Sequence, residues 1–381
     1  MPNLSDDFVF RPLPALENTI HFPFPLLNPL GPLANLPGSW GGKGFNVIWR
    51  PNSTPGQDHF LELNLTNDSL KFDAISGAIP NRGLVQGDIN MFGITYLQQI
   101  SDANLDAGLH IEPGIWAVVP PTTNPAETAT VVRMASIPHG TTILAQGLAT
   151  GVAGPPVIPN INILPFFIGN PTATLNFPEQ ILTNPTAFRS PPAQIVGITQ
   201  AMVNNPNSVL QAAIAGQTIL STTTLQVSTK PPAPITGGGT ANTAFLAGSA
   251  SGPNAVSVSM SATFWIELVQ GTPNFFQLQY SQLVLLNFGP LSWPHVTVGT
   301  LKKNVPIVVP PWAVDPDMPI DILEKLRPPV PPTGAPVRVP APIEFKPVPV
   351  PQPTPAPPPV IHPIPGPPVG VREEGKPEKK E

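Results

Sequence analysis

Phe60-Leu61-Glu62-Leu63-Asn64-Leu65 decides the fold. Leu61, Leu63 and Leu65 fall on one side and Phe60, Glu62 and Asn64 on the other, the period of two that a half-buried strand requires. The same alternation returns in Thr222-Thr223-Thr224-Leu225-Gln226-Val227 and in Val256-Ser257-Val258-Ser259-Met260. Between such runs stand clusters of Gly, Pro and Asn, which turn chains back on themselves. Near the end, Phe276 to Leu286 and Val296 to Leu301 read as two strands joined across Asn287-Phe288-Gly289-Pro290. Residues 40–304 are therefore expected to be all-β, built from antiparallel strands. No internal repeat of solenoid or propeller length occurs.

Composition agrees. The chain has 381 residues, 58 of them proline, where average usage of about 5% would give roughly 19; a mostly helical protein is excluded. Charged residues make up 11% and apolar ones 41%, enough for a core beneath a surface of Asn, Thr, Ser and Gln. A net charge of −5 gives no electrostatic ground for binding nucleic acid or an anionic lipid surface. With no cysteine, disulfides, zinc ribbons, iron–sulfur clusters and thiol catalysis are ruled out, so any metal must take His or carboxylate ligands. The amino-terminal residues show no signal-peptide pattern, and no run of 18 apolar residues suggests a membrane span; the expectation is a cytoplasmic protein. Asn52-Ser53-Thr54 and Asn64-Leu65-Thr66 match the glycosylation pattern but read as turn and strand residues.

Two segments depart from this body. Residues 151–217 open with Pro, Asn and bulky pairs such as Phe166-Phe167, then space Ile195, Ile198, Met202, Val209, Ala212 and Ala213 as in one or two short helices broken at Asn204-Asn205-Pro206. They read as a partly helical insertion, placed over one end of the barrel. From Val305 to Glu381, 25 of 77 residues are proline, too many for helix or sheet ladders. That tail reads as disordered, polyproline II in character, a linker or a ligand for a polyproline-recognising partner. The expected layout is an extension over 1–27, a barrel over 28–304 holding the insertion, and the tail over 305–381.

Chemistry has few places to sit. The histidines are His21, His59, His110, His139, His295 and His362, none at multi-histidine metal spacing. A strand from His295 would turn His295, Thr297, Gly299 and Leu301 to one face, where Gly299 leaves room for something bulky. His110 and Glu112 share a face two apart; the pair either orients a ligand or supports a turn at Pro113-Gly114. His139, in Ile137-Pro138-His139-Gly140-Thr141, reads as a turn residue. No G-x-S-x-G elbow occurs, and Gly237-Gly238-Gly239 lacks the Lys and helix of a phosphate loop, so it reads as a loop tip.

Several ordered blocks together resemble the nitrobindin-like heme-binding β-barrels, relatives in shape of the fatty-acid-binding proteins and lipocalins (calycins). They are Gly38, Trp40, Gly42 and Gly44 as a G-x-W-x-G-x-G opening, and Leu109-His110-Ile111-Glu112-Pro113-Gly114-Ile115-Trp116 as an H-x-E-x-G-aromatic strand. Arg133 to Gly140 with Leu144 to Gly147 follows as a hairpin, and Trp293-Pro294-His295-Val296-Thr297-Val298-Gly299-Thr300-Leu301 as the last strand. The chain departs from the family at Ala117, where an Arg is usual, and over Phe72 to Asp88. The resemblance implies an up-and-down barrel of about ten strands that binds heme b. It makes His295 the proximal iron ligand, with Thr297, His110 and Trp40 also in the cofactor site. It further implies nitric oxide or peroxynitrite chemistry, or peroxidase-like activity, at an open axial position facing small diatomic or peroxide ligands. The competing expectations are a non-catalytic carrier of an apolar molecule, and a scaffold whose proline-rich tail docks partners.

Overall fold

The computed structural model describes residues 29–54, 58–124, 126–137, 140–232, 235, 237–242 and 255–304. The extension over 1–27, the tail over 305–381 and His139 lie outside them, so the expectations attached to those residues are untouched. Ten strands form the wall: β1 (Gly38–Pro51), β2 (His59–Ala74), β3 (Ile89–Asp102), β4 (Gly108–Val119), β5 (Thr130–Ser136), β6 (Thr141–Ala153), β7 (Ile219–Ser228), β8 (Val256–Val269), β9 (Phe275–Phe288) and β10 (Leu291–Asn304). Each pairs antiparallel with its neighbour in sequence, and β1 pairs with β10 from Ser39↔Asn304 to Ile48↔His295. The result is a closed up-and-down barrel, which leaves the ten main strands no continuous free edge.

The sequence alternation is the inside–outside alternation of this wall. Trp40, Leu70, Phe72, Ile94, Trp116, Phe264, Leu278 and Leu301 fill the lower interior. A single 3-10 turn, Gly31–Leu33, closes that end with Leu30, Leu33 and Leu36, and the Trp40 indole donates to Leu36 O at 2.8 Å. The β9–β10 hairpin turns at Gly289-Pro290, tighter than the four-residue break read from the sequence. Pro113-Gly114, expected as a turn, lies inside β4 opposite Leu97 and Tyr96. Of the three glycines at 237–239, Gly239 starts a short strand, Gly239–Asn242, that pairs with β6.

The insertion does form two short helices, Gln200–Asn204 and Ser208–Ile214, the first capped by the Thr199 hydroxyl and ended at Asn205-Pro206. It does not close a barrel end. It coats the outside of the wall: Phe45, Val47, Trp49, Leu61, Leu63, Trp265, Trp293, Val296 and Val298, all outward-facing, are buried with Ile158, Ile163, Ile198, Val203 and Leu210. Trp49 donates to Ile163 O at 3.0 Å, and the backbone of Phe188 and Ser190 bonds both polar groups of Leu61. The upper part of β2, which β3 does not reach, thus gains an edge partner. Burying a tryptophan here stabilises by a few kcal/mol. Trp49→Ala is expected to cost about 3–5 kcal/mol by urea denaturation, while an insertion merely resting on the wall would show almost no change.

Candidate functional site

Above the apolar floor, the barrel interior becomes polar. Arg133 on β5 is fully buried; its Nη2 donates to Glu112 Oε1 at 2.6 Å, its Nε to Tyr96 Oη at 2.9 Å and its Nη1 to Gln282 Oε1 at 2.7 Å. The Tyr96 hydroxyl also donates to Glu112, and His110 Nε2 lies 3.2 Å from Glu112 Oε2. The guanidinium sits over the rings of Trp116 and Phe264, at 5.7 and 5.2 Å. Burial works against ionising Glu112, but Arg133, with His110 and Tyr96, outweighs it and holds the carboxyl at about 2. Burial likewise opposes the charge on Arg133, and Glu112 more than restores it, so its affinity for the proton rises.

A second carboxylate is in the opposite situation. Asp68 on β2 accepts from the Tyr280 hydroxyl across the interior, and its other oxygen, Oδ1, has no hydrogen-bond partner. Burial raises this carboxyl to about 6, the hydroxyls of Tyr280 and Thr66 and the charge of His110 pulling only partly the other way. The room expected at Gly299 is taken up by this pair. A Cβ there would stand 2.6 Å from the Tyr280 ring and 2.7 Å from Asp68 Oδ2.

The predicted face of β10 forms as read: His295, Thr297, Gly299 and Leu301 turn inward, Leu301 into the lower core. His295 Nε2 lies 3.2 Å from Asn46 Oδ1, and the Thr297 hydroxyl donates to the same oxygen at 2.8 Å. His295 and His110 together line a small polar recess, with Tyr280 and Gln282 on its wall. Both also line a cavity of about 410 Å³ above it, whose walls include Ile48, Leu109, Ile137, Val284 and Leu286. The Arg50–Glu62 ion pair, 2.9 Å, stands at its rim.

Trp40 is not part of this site. Lys303 is its neighbour on β10, eight positions from His295, about 26 Å along the strand; its indole belongs to the closed lower end. The site also holds residues that sequence reasoning missed. Arg133 supplies the interior guanidinium from the strand beside β4, opposite Trp116, whereas the expected arginine position, Ala117, is a small buried residue. Gln282, Asp68 and Tyr280 were likewise unmarked. The one available signal was that charged residues standing in strands of such a charge-poor chain are candidates for burial as pairs.

These elements define a closed antiparallel β-barrel, sealed at one end and holding a ligand-sized cavity lined by two histidines at the other. No family model and no curated protein matches the sequence. Among solved structures the chain is similar to Rv2717c from M. tuberculosis, at 13% identity over 72% of this chain and 95% of that chain, with a TM-score of 0.34. Among the described residues no helix is long and apolar enough to cross a membrane.

The two carboxylates give opposite linkage. Glu112, lowered on folding, contributes stability above about 4.5 that is lost as pH falls toward 2. Asp68, raised from 3.8 to about 6, favours the fold below 3.8, and that contribution is lost as pH rises through 6, in total about 3 kcal/mol. Glu112→Gln, which leaves a buried guanidinium without its counter-charge, is expected to cost about 3–5 kcal/mol at pH 7. Asp68→Asn is expected to stabilise at pH 8 by about 1–3 kcal/mol and to bring no gain at pH 4. Urea unfolding curves at the two pH values check both, and an Asp68→Asn protein weaker than wild type at pH 8 would contradict the assigned strain.

Proposed function

We propose that the upper cavity binds heme b, which His295 would hold through its iron. The observation that carries this is the inward placement of the His295 imidazole on a cavity whose walls include Ile48, Val284 and Leu286. Among the described residues no group of three or more His, Cys, Asp or Glu could hold a bare ion. With too few protein donors for a bare ion, His295 would suit a metal that arrives already held by another chelator, as in a porphyrin. The cavity, about 410 Å³, falls in the range of small-molecule sites, and the ordered sequence blocks that resemble the nitrobindin-like barrels point the same way.

Each neighbouring side chain then has a task. Thr297 and Asn46 position the His295 ring, which would hold the iron of a bound heme. Ile48, Val284 and Leu286 exclude water from the apolar face of a bound macrocycle. Glu112, anchored by Arg133, orients His110 at the cavity. When bound, heme would supply an iron able to take nitric oxide, peroxynitrite or a peroxide, the basis of isomerase or peroxidase-like activity.

A second reading, a carrier of an apolar molecule without metal chemistry, is favoured by the His295–Asn46 contact and the aliphatic walls. Hemin titration separates the two. Wild type is expected to develop a Soret band, and His295→Ala to lose at least about tenfold in affinity, or 1.4 kcal/mol, at unchanged far-UV circular dichroism. Identical spectra for the two proteins would remove the iron-ligand assignment, and native mass spectrometry showing a lipid and no porphyrin would establish the carrier.

A further inference from the structure

The chain contains two tyrosines, and both are buried in the polar tier with their hydroxyls donating to a carboxylate, Tyr96 to Glu112 and Tyr280 to Asp68. The two pairs are not equivalent. Glu112 Oε1 already accepts from Arg133, whose charge opposes any proton arriving there. Asp68 Oδ2 accepts from Tyr280, and Asp68 Oδ1 is unpartnered although the residue is only 4% exposed. Tyr280 also lines the recess shared with His110 and His295. Its ring stacks on Phe264 at 5.4 Å, and Phe264 meets Trp116 edge-on at 5.2 Å.

We infer that Tyr280 is a redox-active residue, giving one electron to an oxidant lodged in the cavity above it while its hydroxyl proton passes to Asp68. The balance is simple. The phenol O–H bond breaks, an O–H bond forms on Asp68 Oδ2, the electron reduces the oxidant, and a neutral phenoxyl radical remains beside a neutral carboxylic acid. The return of one electron and the same proton restores the pair. Burial, and then the charge of Asp68, push the Tyr280 phenol well above its ordinary range, so the proton does not leave unless the electron leaves too. Burial also makes Asp68 a better proton acceptor than an ordinary carboxylate, whereas Glu112 is a worse one. The oxidant class is a one-electron acceptor such as a peroxide-activated metal centre.

The inference stands on the Asp68–Tyr280 geometry and not on heme, so its test uses the full chain without hemin. Photogenerated tris(bipyridine)ruthenium(III) serves as the oxidant, and electron paramagnetic resonance of frozen samples at pH 8 as the readout. Wild type and Tyr96→Phe are expected to give the same neutral tyrosyl radical signal, and Tyr280→Phe to lose it. Asp68→Asn keeps an acceptor for the hydroxyl but cannot take its proton at this pH, and the radical yield is expected to fall at least tenfold. Circular dichroism confirms that each variant is folded. A signal that survives Tyr280→Phe, disappears in Tyr96→Phe, or is undiminished in Asp68→Asn overturns the inference. Failure of hemin to bind leaves these outcomes unchanged, so the two proposals fail separately.

Discussion

A ten-stranded barrel encloses more space than a few apolar side chains can fill, and this one depends on a guanidinium placed in the middle of it. Arg133 is fully buried, and such a group is tolerable only with its charge balanced and its donors satisfied. Glu112 provides the balance, while Tyr96 and Gln282 take further donors from separate strands. Four strands are thereby tied across the interior at one height. Apolar packing with Trp40, Phe72 and Leu301 can be completed beneath that level, and the space above it is left to something other than the protein's own core.

The same tier explains why two carboxylates a short way apart behave so differently. Glu112 sits against a cation and stays ionised; Asp68, on the side of the interior where no cation reaches it by hydrogen bond, is strained by its burial. Environment, rather than residue type, separates a structural anchor from a proton acceptor. His110 touches the first and slightly lowers the pKa of the second, so the upper cavity meets both through one ring.

Much of the architecture was legible because strands carry their own signature. The period of two gave the strands, the Gly289-Pro290 break gave the last hairpin, and counting along β10 from His295 named its inward face correctly. His110 with Glu112 was equally local, two residues apart on one face. What could not be read was contact across the interior. Arg133 meets Glu112 from the neighbouring strand, 21 residues on, whereas Tyr280 is 212 residues from Asp68, a separation that only barrel closure brings together. The siting of the insertion was misjudged for a different reason. Phe45, Val47 and Trp49 occupy one face of β1 while Trp40 and Ile48 occupy the other, a strand greasy on both sides, and such a strand must be covered outside as well as inside.

That outer coat leaves β1 and β10 as a partition between two chambers with separate contents. Aromatic packing beneath the insertion and chemistry within the barrel share a backbone but no side chains. Evolution or an engineer could therefore re-tailor the upper cavity for another guest while the cladding and the Arg133 tier keep the partition upright.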